Sequence, residues 1–144
     1  MQKPLDLIVF GATGFTGRLV AEYLQQSHGI DQGLRWALAG RNLDKLAVTR
    51  RDIGAPDALP LLQADAGDPA AMQALVQQAR VVISTVGPYQ LHGEPLLQAC
   101  VDAGTDYVDL CGEPGWMAKM IGELDAPARA SGAQIGRASC RERV

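Results

Sequence analysis

The sequence contains few aromatic residues, few cysteines and no excess of positive charge. Phe, Trp and Tyr together make up 5% of the 144 residues, too few to provide the aromatic platform on which single-stranded nucleic acids stack. The formal net charge of −3 gives no electrostatic reason to expect nucleic acid or an anionic membrane as a partner. The three cysteines, Cys100, Cys111 and Cys140, form neither a CxxC pair nor an even disulfide framework, which favours a reducing, cytoplasmic setting.

Long hydrophobic runs are also missing. No apolar stretch approaches the roughly 18 to 20 residues that a membrane-spanning helix needs, so we expect no transmembrane segment. The two histidines, His28 and His92, have no partners at metal-ligand spacing, and we expect no metal site. With 47% hydrophobic and 20% charged residues, the chain has the composition of one ordinary globular domain with its own core.

A glycine-rich stretch between a predicted strand and a predicted helix stands out among the features that are present. The apolar run 5–10, interrupted only by Asp6, predicts a short buried strand, and Leu19, Val20, Tyr23 and Leu24 recur at helical spacing. A strand, a glycine turn and a helix in this order are typical of a dinucleotide site. The alternative is a glycine-rich turn that only caps a helix.

Each glycine of this turn has a distinct physical role in a dinucleotide site. Gly11 allows a tight turn, Gly14 lets the backbone approach a pyrophosphate, and Gly17 lets the helix pack close to the strand. The N–H groups of the first helical turn then face the phosphates, at the positive end of the helix dipole. The predicted cofactor-binding residues of this turn are Gly11, Thr13, Gly14, Phe15, Thr16 and Gly17.

Two further candidates follow the second and third predicted strands. Strand 34–39 ends in Gly40 and Arg41, where an NAD-specific fold places an acid on the ribose hydroxyls. An arginine there forms charge-assisted bonds to a 2′-phosphate and favours NADP(H) over NAD(H); the alternative is a solvated arginine. Asp65, after strand 61–64, is a candidate to accept a hydrogen bond from the adenine amino group, or else a loop acid.

The strongest strand signal is the β-branched run within 80–86. A fourth strand of a doubly wound sheet lies beside the first, so the loop after it lines the cofactor crevice. That loop contributes Val86, Gly87, Pro88 and Tyr89. The glycine and proline predict a rigid turn against the cofactor, and Tyr89 is expected to cover it.

Several chemically capable side chains lie at or near this end of the predicted sheet. Asp109 and Glu113, at the end of strand 106–110, are placed to contact a ribose or substrate, or to act as capping and turn residues. Cys111 has no neighbouring base in sequence, and we expect it to be buried and inert. His92 is a candidate general acid, but it has no partner in sequence, and no residue is identified as catalytic.

Residues 5–134 resemble the amino-terminal NADP-binding domain of saccharopine dehydrogenase-like oxidoreductases, a family that includes the trans-acting enoyl reductases. The resemblance implies a Rossmann-like doubly wound α/β sheet of about five parallel strands with helices on both faces. It also implies NADP(H) as cofactor and hydride transfer to or from an imine, carbonyl or enoyl substrate, small or lipid-linked. The segments that carry it are 9–17, 39–41, 86–89, 93–95 and 107–113.

The last ten residues, 135–144, resemble the translation of a sequencing adapter, read as ATC GGA AGA GCG TCG TGT AGG GAA AGA GTG. We therefore expect residues 1–134 to be the NAD(P)-binding domain and 135–144 not to be native. In the resembling family the chain continues into a sixth strand and a substrate domain. Without them we expect an inactive fragment whose unfinished sheet edge promotes homo-oligomers.

Two other functions share the glycine turn. One is an atypical short-chain dehydrogenase, which needs a Tyr-x-x-x-Lys pair so that the lysine lowers the pKa of the tyrosine. The chain contains no such pair, because the residues four positions after Tyr23, Tyr89 and Tyr107 are Ser27, Gly93 and Cys111. The other is an NmrA-like redox sensor that binds NADP(H) without turnover.

Overall fold

Six short strands alternate with helices in the part of the chain that the structure describes. The computed structural model describes residues 2–30 and 32–138. The strands are β1 (Leu5–Phe10), β2 (Trp36–Gly40), β3 (Leu61–Gln63), β4 (Ala79–Ser84), β5 (Asp106–Asp109) and β6 (Ile135–Arg137). The helices are α1 (Phe15–Ser27), α2 (Leu43–Asp52), α3 (Pro69–Val76), α4 (Tyr89–His92), α5 (Glu94–Ala103) and α6 (Pro114–Ser131). Within these described ranges, no helix has the length and apolar character that crossing a membrane requires.

All strands belong to one sheet, in the order β3-β2-β1-β4-β5-β6, and every neighbouring pair is parallel. The chain starts at β1 in the middle, builds outward through β2 and β3, and then crosses back to β4 on the other side of β1. The strand order therefore reverses between β1 and β4, the position at which doubly wound sheets bind ligands. The predicted Rossmann-like α/β fold is confirmed.

Two separate hydrophobic clusters show that helices cover both faces of the sheet. One cluster joins Ile8 and Phe10 of β1 to α3, α5 and α6. The other joins Val9 of β1 to Leu24 of α1 and Leu46 of α2. Because successive residues of a strand point to opposite faces, the alternation within β1 supplies both clusters.

Two helices begin where the sequence signals a cap. The Asn42 side chain accepts a hydrogen bond from the Lys45 N–H at 3.1 Å and starts α2. The Asp68 carboxylate accepts hydrogen bonds from the N–H groups of Ala70 and Ala71, at 3.0 and 3.3 Å, and Pro69 begins α3. A short polar side chain at the N-cap and a proline in the first turn both favour the start of a helix, so the local sequence explains where these two helices begin.

The apolar residues whose spacing predicts α1 do not all face the core. Leu19 is 50% exposed and Tyr23 is 63% exposed, whereas the buried positions are Gly17, Ala21 and Leu24. Small residues at 17 and 21 form one side of the helix, and that side packs against the sheet because it allows the closest approach. The side chains of Leu19 and Tyr23 therefore point to the solvent.

The sheet has a sixth strand, which corrects the expectation that this strand is missing. β6 pairs with β5 over three residues, and the Ala138 N–H donates to the carbonyl of Asp109 at 2.7 Å. The free backbone groups of β5 attract the chain as it returns from α6. The edge of β5 is thus covered, and β6, as a very short outer strand, limits pairing with another chain. The homo-oligomer stays a prediction, but an unfinished sheet edge no longer supports it. The rest of the suspected adapter segment, residues 139–144, lies outside the described residues.

Candidate functional site

The glycine turn after β1 begins with a backbone conformation that requires glycine. Gly11 has φ +90°, and its N–H donates to the carbonyl of Ala39 at 2.9 Å. A Cβ on Gly11 would lie 2.7 Å from both Thr85 Oγ1 and Val86 Cγ2. The turn is therefore tight in itself and tightly enclosed by the loop after β4, as its predicted role requires.

Gly17 sits where α1 crosses closest to the end of β1. A Cβ at this position would overlap the carbonyl oxygen of Gly11, and it would lie 2.7 Å from the Gly11 carbonyl carbon and 2.8 Å from Thr85 Oγ1. Two of these three atoms are backbone and cannot turn aside. The close packing of helix and strand predicted for this glycine is present.

Gly14 differs from the other two because the protein leaves room around it. A Cβ there would contact only the Gly11 carbonyl oxygen, at 3.6 Å, an ordinary van der Waals distance. Gly14 is the N-cap residue of α1, and within the described residues no side chain caps the helix and no acid occupies its first turn. Uncapped N–H groups beside a residue without a side chain fit the approach of an anionic phosphate.

Thr85, which is not among the predicted cofactor-binding residues, holds the glycine turn in place. Its N–H donates to the carbonyl of Phe10 at 3.1 Å. Its hydroxyl lies 3.2 Å from the carbonyl oxygens of both Phe10 and Gly11, to either of which it can donate. The signal in the sequence is the position of this threonine at the end of the β-branched run, beside β1 in a doubly wound sheet.

Arg41 and Asp65 follow β2 and β3 at the same end of the sheet. Arg41 is exposed, and among the described residues its guanidinium forms no ion pair closer than 4.0 Å. Asp65 is exposed too, but its Oδ1 accepts a hydrogen bond from the Gly67 N–H at 2.8 Å. That bond gives one carboxylate oxygen of Asp65 a turn-forming role, while its contact with adenine stays a prediction.

The loop after β4 presents Gly87 and Pro88 at the surface, joined by a cis peptide bond, with Val86 half-buried. The Tyr89 side chain points into the protein. It is 4% exposed, its hydroxyl donates to the carbonyl of Ser84 at 2.9 Å, and its ring packs on Trp116 with centroids 5.7 Å apart. The buried ring anchors the loop from below, which differs from the expected cover over the cofactor.

Glu113 joins the loop after β5 to the loop after β4. Its carboxylate accepts hydrogen bonds from the Tyr89 N–H at 2.6 Å and from the Gln90 N–H at 3.1 Å. These are the first two residues of α4. Of the two predicted roles for Glu113, capping is the one that the geometry shows.

Comparison with known proteins identifies the family of this arrangement. The saccharopine dehydrogenase NADP binding domain matches residues 7–135. The chain belongs to this family. The assignment agrees with the resemblance carried by the glycine turn, Arg41 and the loop after β4, which the structure gathers at one end of the sheet.

Relatives of this saccharopine dehydrogenase-type domain are much longer than the chain. A trans-acting enoyl reductase of Mycobacterium tuberculosis is 42% identical over 136 residues, which cover 93% of this chain and 32% of that protein. The chain thus spans about a third of the length of the curated relatives it matches.

Solved structures share the fold of the domain at low sequence identity. Saccharopine dehydrogenase (L-Glu forming) from Saccharomyces cerevisiae has a TM-score of 0.69 and 19% identity, covering 92% of this chain and 26% of that one. Triphenylmethane reductase from Citrobacter sp., solved with NADP(H), has a TM-score of 0.65 and 19% identity, covering 92% and 48%.

A buried acidic network lies beside the site in this saccharopine dehydrogenase-type domain. Asp109 is 2% exposed. Its carboxylate accepts from the Tyr107 hydroxyl at 2.7 Å, the Cys111 N–H at 3.0 Å and Arg137 Nε at 2.9 Å. Burial and the adjacent carboxylate both raise the pKa of Tyr107, so its hydroxyl stays protonated as a donor. Asp109 is therefore fully engaged within the protein rather than turned to a ligand.

Replacing Asp109 with asparagine should lower the free energy of unfolding by about 2 kcal/mol, the range for hydrogen bonds to a buried charged group. The charge opposite Arg137 is lost, and the new amide N–H₂ forces the Tyr107 hydroxyl to accept instead of donate. Urea unfolding followed by circular dichroism measures the change. Asp102→Asn, on the exposed surface of α5, is the control and should shift stability by less than about 0.5 kcal/mol. Equal effects of the two substitutions would contradict the network.

The remaining candidate side chains show no catalytic arrangement. Cys111 is buried, and burial raises the pKa of its thiol, so the reactive thiolate is disfavoured. His92 is exposed at the end of α4. Within the described ranges, no group of three or more His, Cys, Asp and Glu residues is arranged to hold a metal ion.

Proposed function

We propose that this chain is the NADP(H)-binding part of an oxidoreductase that transfers a hydride between the nicotinamide ring and an imine, carbonyl or enoyl group. The observation that carries the proposal is the uncapped start of α1. There is space for a side chain at Gly14, whereas Gly11 and Gly17 on either side of it are tightly enclosed. Relatives named trans-acting enoyl reductase support the reductase chemistry. A structural neighbour solved with NADP(H) supports the cofactor.

The proposed roles divide along the carboxyl end of the sheet. The N–H groups of Phe15 and Thr16, in the first turn of α1, would bind the pyrophosphate, while the Gly14 N–H donates to the Gly11 carbonyl at 3.1 Å within the turn. Arg41 beside β2 would pair with the 2′-phosphate. The backbone of the loop after β4 would border the nicotinamide half. When bound, NADPH supplies the hydride, and the role of these residues is to hold and orient it.

The substrate pocket is proposed to lie outside this chain, because the relatives are about three times as long. We expect the chain alone to bind NADP(H) without turning it over. Titration of the chain with NADP⁺ by isothermal calorimetry tests binding, and NADPH oxidation by the full-length gene product with imine, carbonyl and enoyl substrates tests chemistry. Binding by both proteins without any oxidation would favour a sensor. No binding by the chain would overturn the cofactor assignment.

Replacing Arg41 with alanine should weaken NADP⁺ binding by roughly 10- to 100-fold, since a charge-assisted bond contributes about 1.5–3 kcal/mol. Binding of NAD⁺, which lacks the 2′-phosphate, should change by less than about twofold. The control is Arg51→Ala, which removes an exposed arginine near the end of α2 and should leave both affinities unchanged. Equal loss for the two nucleotides would show that Arg41 does not read the 2′-phosphate.

A further inference from the structure

The carboxylate of Glu113 is committed to a segment that is distant in sequence. Both carboxylate oxygens accept hydrogen bonds from backbone N–H groups: Oε2 from Tyr89 at 2.6 Å and Oε1 from Gln90 at 3.1 Å. These N–H groups belong to the first two residues of α4, a helix of four residues. Its N-cap residue is Pro88, whose side chain forms no capping hydrogen bond. Glu113 therefore supplies a cap that the local sequence lacks.

The position of Glu113 is itself defined by the loop after β5. Its N–H donates to the sulfur of Cys111 at 3.3 Å, and it is the N-cap residue of α6. Cys111 in turn is tied by its N–H to the buried Asp109 at 3.0 Å. A short chain of contacts thus connects the end of β5 to the start of α4.

The segment that Glu113 holds continues directly from the residues that contact the glycine turn, Thr85 and Val86. Tyr89 and Gln90 follow directly on Gly87 and Pro88, and these follow Thr85, whose hydroxyl lies 3.2 Å from the Gly11 carbonyl oxygen. A displacement of the start of α4 would therefore move the exposed part of the loop, while Thr85 and the glycine turn remain tied to β1.

In the proposed NADP(H) site, this loop would face one half of the dinucleotide and not the other. In a doubly wound sheet the pyrophosphate lies at the start of α1, and the adenosine ribose lies toward β2, where Arg41 is found. The nicotinamide half then extends across the switch point toward β4. The loop at 86–90 borders that half.

We propose that Glu113 is a positioning residue for the nicotinamide half of the cofactor, acting through the loop at 86–90 without touching the cofactor itself. The proposal rests on the proposed NADP(H) site. Removing the carboxylate leaves the N–H groups of Tyr89 and Gln90 without their acceptor. This should loosen the loop, which the Tyr89 ring still anchors from below, and weaken the binding of a complete dinucleotide. Binding of the adenosine half alone, which reaches only the glycine turn and the β2 side, should be preserved.

The test compares two probes, NADP⁺ and 2′,5′-ADP, which lacks the nicotinamide half. Glu113→Ala should weaken NADP⁺ binding about tenfold and change 2′,5′-ADP binding by less than twofold. Glu113→Gln, which keeps one acceptor oxygen and nearly the same shape, should weaken NADP⁺ about threefold and serves if the alanine variant does not fold. The matched control is Glu94→Gln, an exposed acid that pairs with Lys119 Nζ at 3.2 Å and should affect neither probe.

The outcomes distinguish failure of the positioning role from failure of the NADP(H) site. Equal weakening of both probes, or unchanged NADP⁺ binding in both Glu113 variants, would overturn the positioning role. Wild-type affinities for NADP⁺ and 2′,5′-ADP that are equal would overturn it as well, because the loop would then contribute nothing to the nicotinamide half. Failure of the wild type to bind either probe would instead overturn the proposed NADP(H) site.

Discussion

Substituting alanine for Gly17 should destabilise the fold by about 3 kcal/mol or more, at the upper end of the range for adding a methyl group to a packed position. The new Cβ would overlap the Gly11 carbonyl oxygen and approach Thr85 Oγ1 to 2.8 Å. Because the Gly11 atoms are backbone in a turn that Thr85 already holds, the clash is relieved only by moving α1 away from β1. That movement separates Ala21 and Leu24 of α1 from the sheet residues of the same hydrophobic cluster.

A second glycine-to-alanine change provides the control for this effect. Gly122 lies inside α6, and among the described residues no atom beyond its chain neighbours and the adjacent helix backbone lies within 4 Å of the position of a Cβ. Gly122→Ala should therefore stabilise by about 0.5–1 kcal/mol through helix propensity. Thermal and urea unfolding of the two variants should shift in opposite directions. A Gly17→Ala protein that unfolds at the wild-type midpoint would show that helix and strand are not in the contact described.

The glycine turn is the part of the site that sequence reasoning predicts best. A tight turn, a close helix–strand contact and an open N-terminus each require glycine for a different steric reason, so their spacing after a strand carries specific information. Gly11 and Gly17 have these properties in the structure. Caps such as Asn42 are predictable for the same reason, because a short polar side chain interacts with backbone only a few residues away.

The parts that sequence reasoning does not predict depend on contacts between distant segments. Tyr89 turns inward because Ser84 and Trp116 offer its hydroxyl and its ring a buried environment, and nothing near position 89 in sequence indicates this. The outward orientation of Leu19 and Tyr23 has a related cause. Periodicity predicts a helix but not which side approaches the sheet most closely, and in α1 that side is set by Gly17.

The sixth strand illustrates a further limit. Residues 135–137 carry no pattern that predicts a strand, and they pair with β5 because its backbone edge is available where the chain leaves α6. Arg137 then reaches the buried Asp109 at 2.9 Å. Backbone pairing makes few demands on side chains, so a strand of this length depends on where the chain passes more than on its residues.

Gly14→Ala is expected to separate binding from folding. A Cβ at this position meets only the Gly11 carbonyl oxygen, at 3.6 Å, and the backbone conformation of φ −81° and ψ 171° is one that alanine adopts readily. The free energy of unfolding should therefore change by no more than about 1 kcal/mol, the cost of a poorer N-cap. NADP⁺ affinity should nevertheless fall about 100-fold or more, a loss of about 2.7 kcal/mol, because the methyl group would occupy the space through which the backbone approaches the pyrophosphate.

Calorimetric titration with NADP⁺, together with thermal unfolding in its absence, measures both quantities on one preparation, and Gly122→Ala serves again as the control that should bind like the wild type. The substitution distinguishes the two interpretations of the glycine turn. If the turn only caps a helix, Gly14 tolerates a methyl group without consequence for any ligand, and unchanged affinity would overturn the dinucleotide site. If the turn binds a pyrophosphate, the two substitutions should have different effects. Gly17→Ala should lower the stability of the fold because its methyl group overlaps protein atoms, and Gly14→Ala should lower NADP⁺ affinity because its methyl group occupies the space of the cofactor.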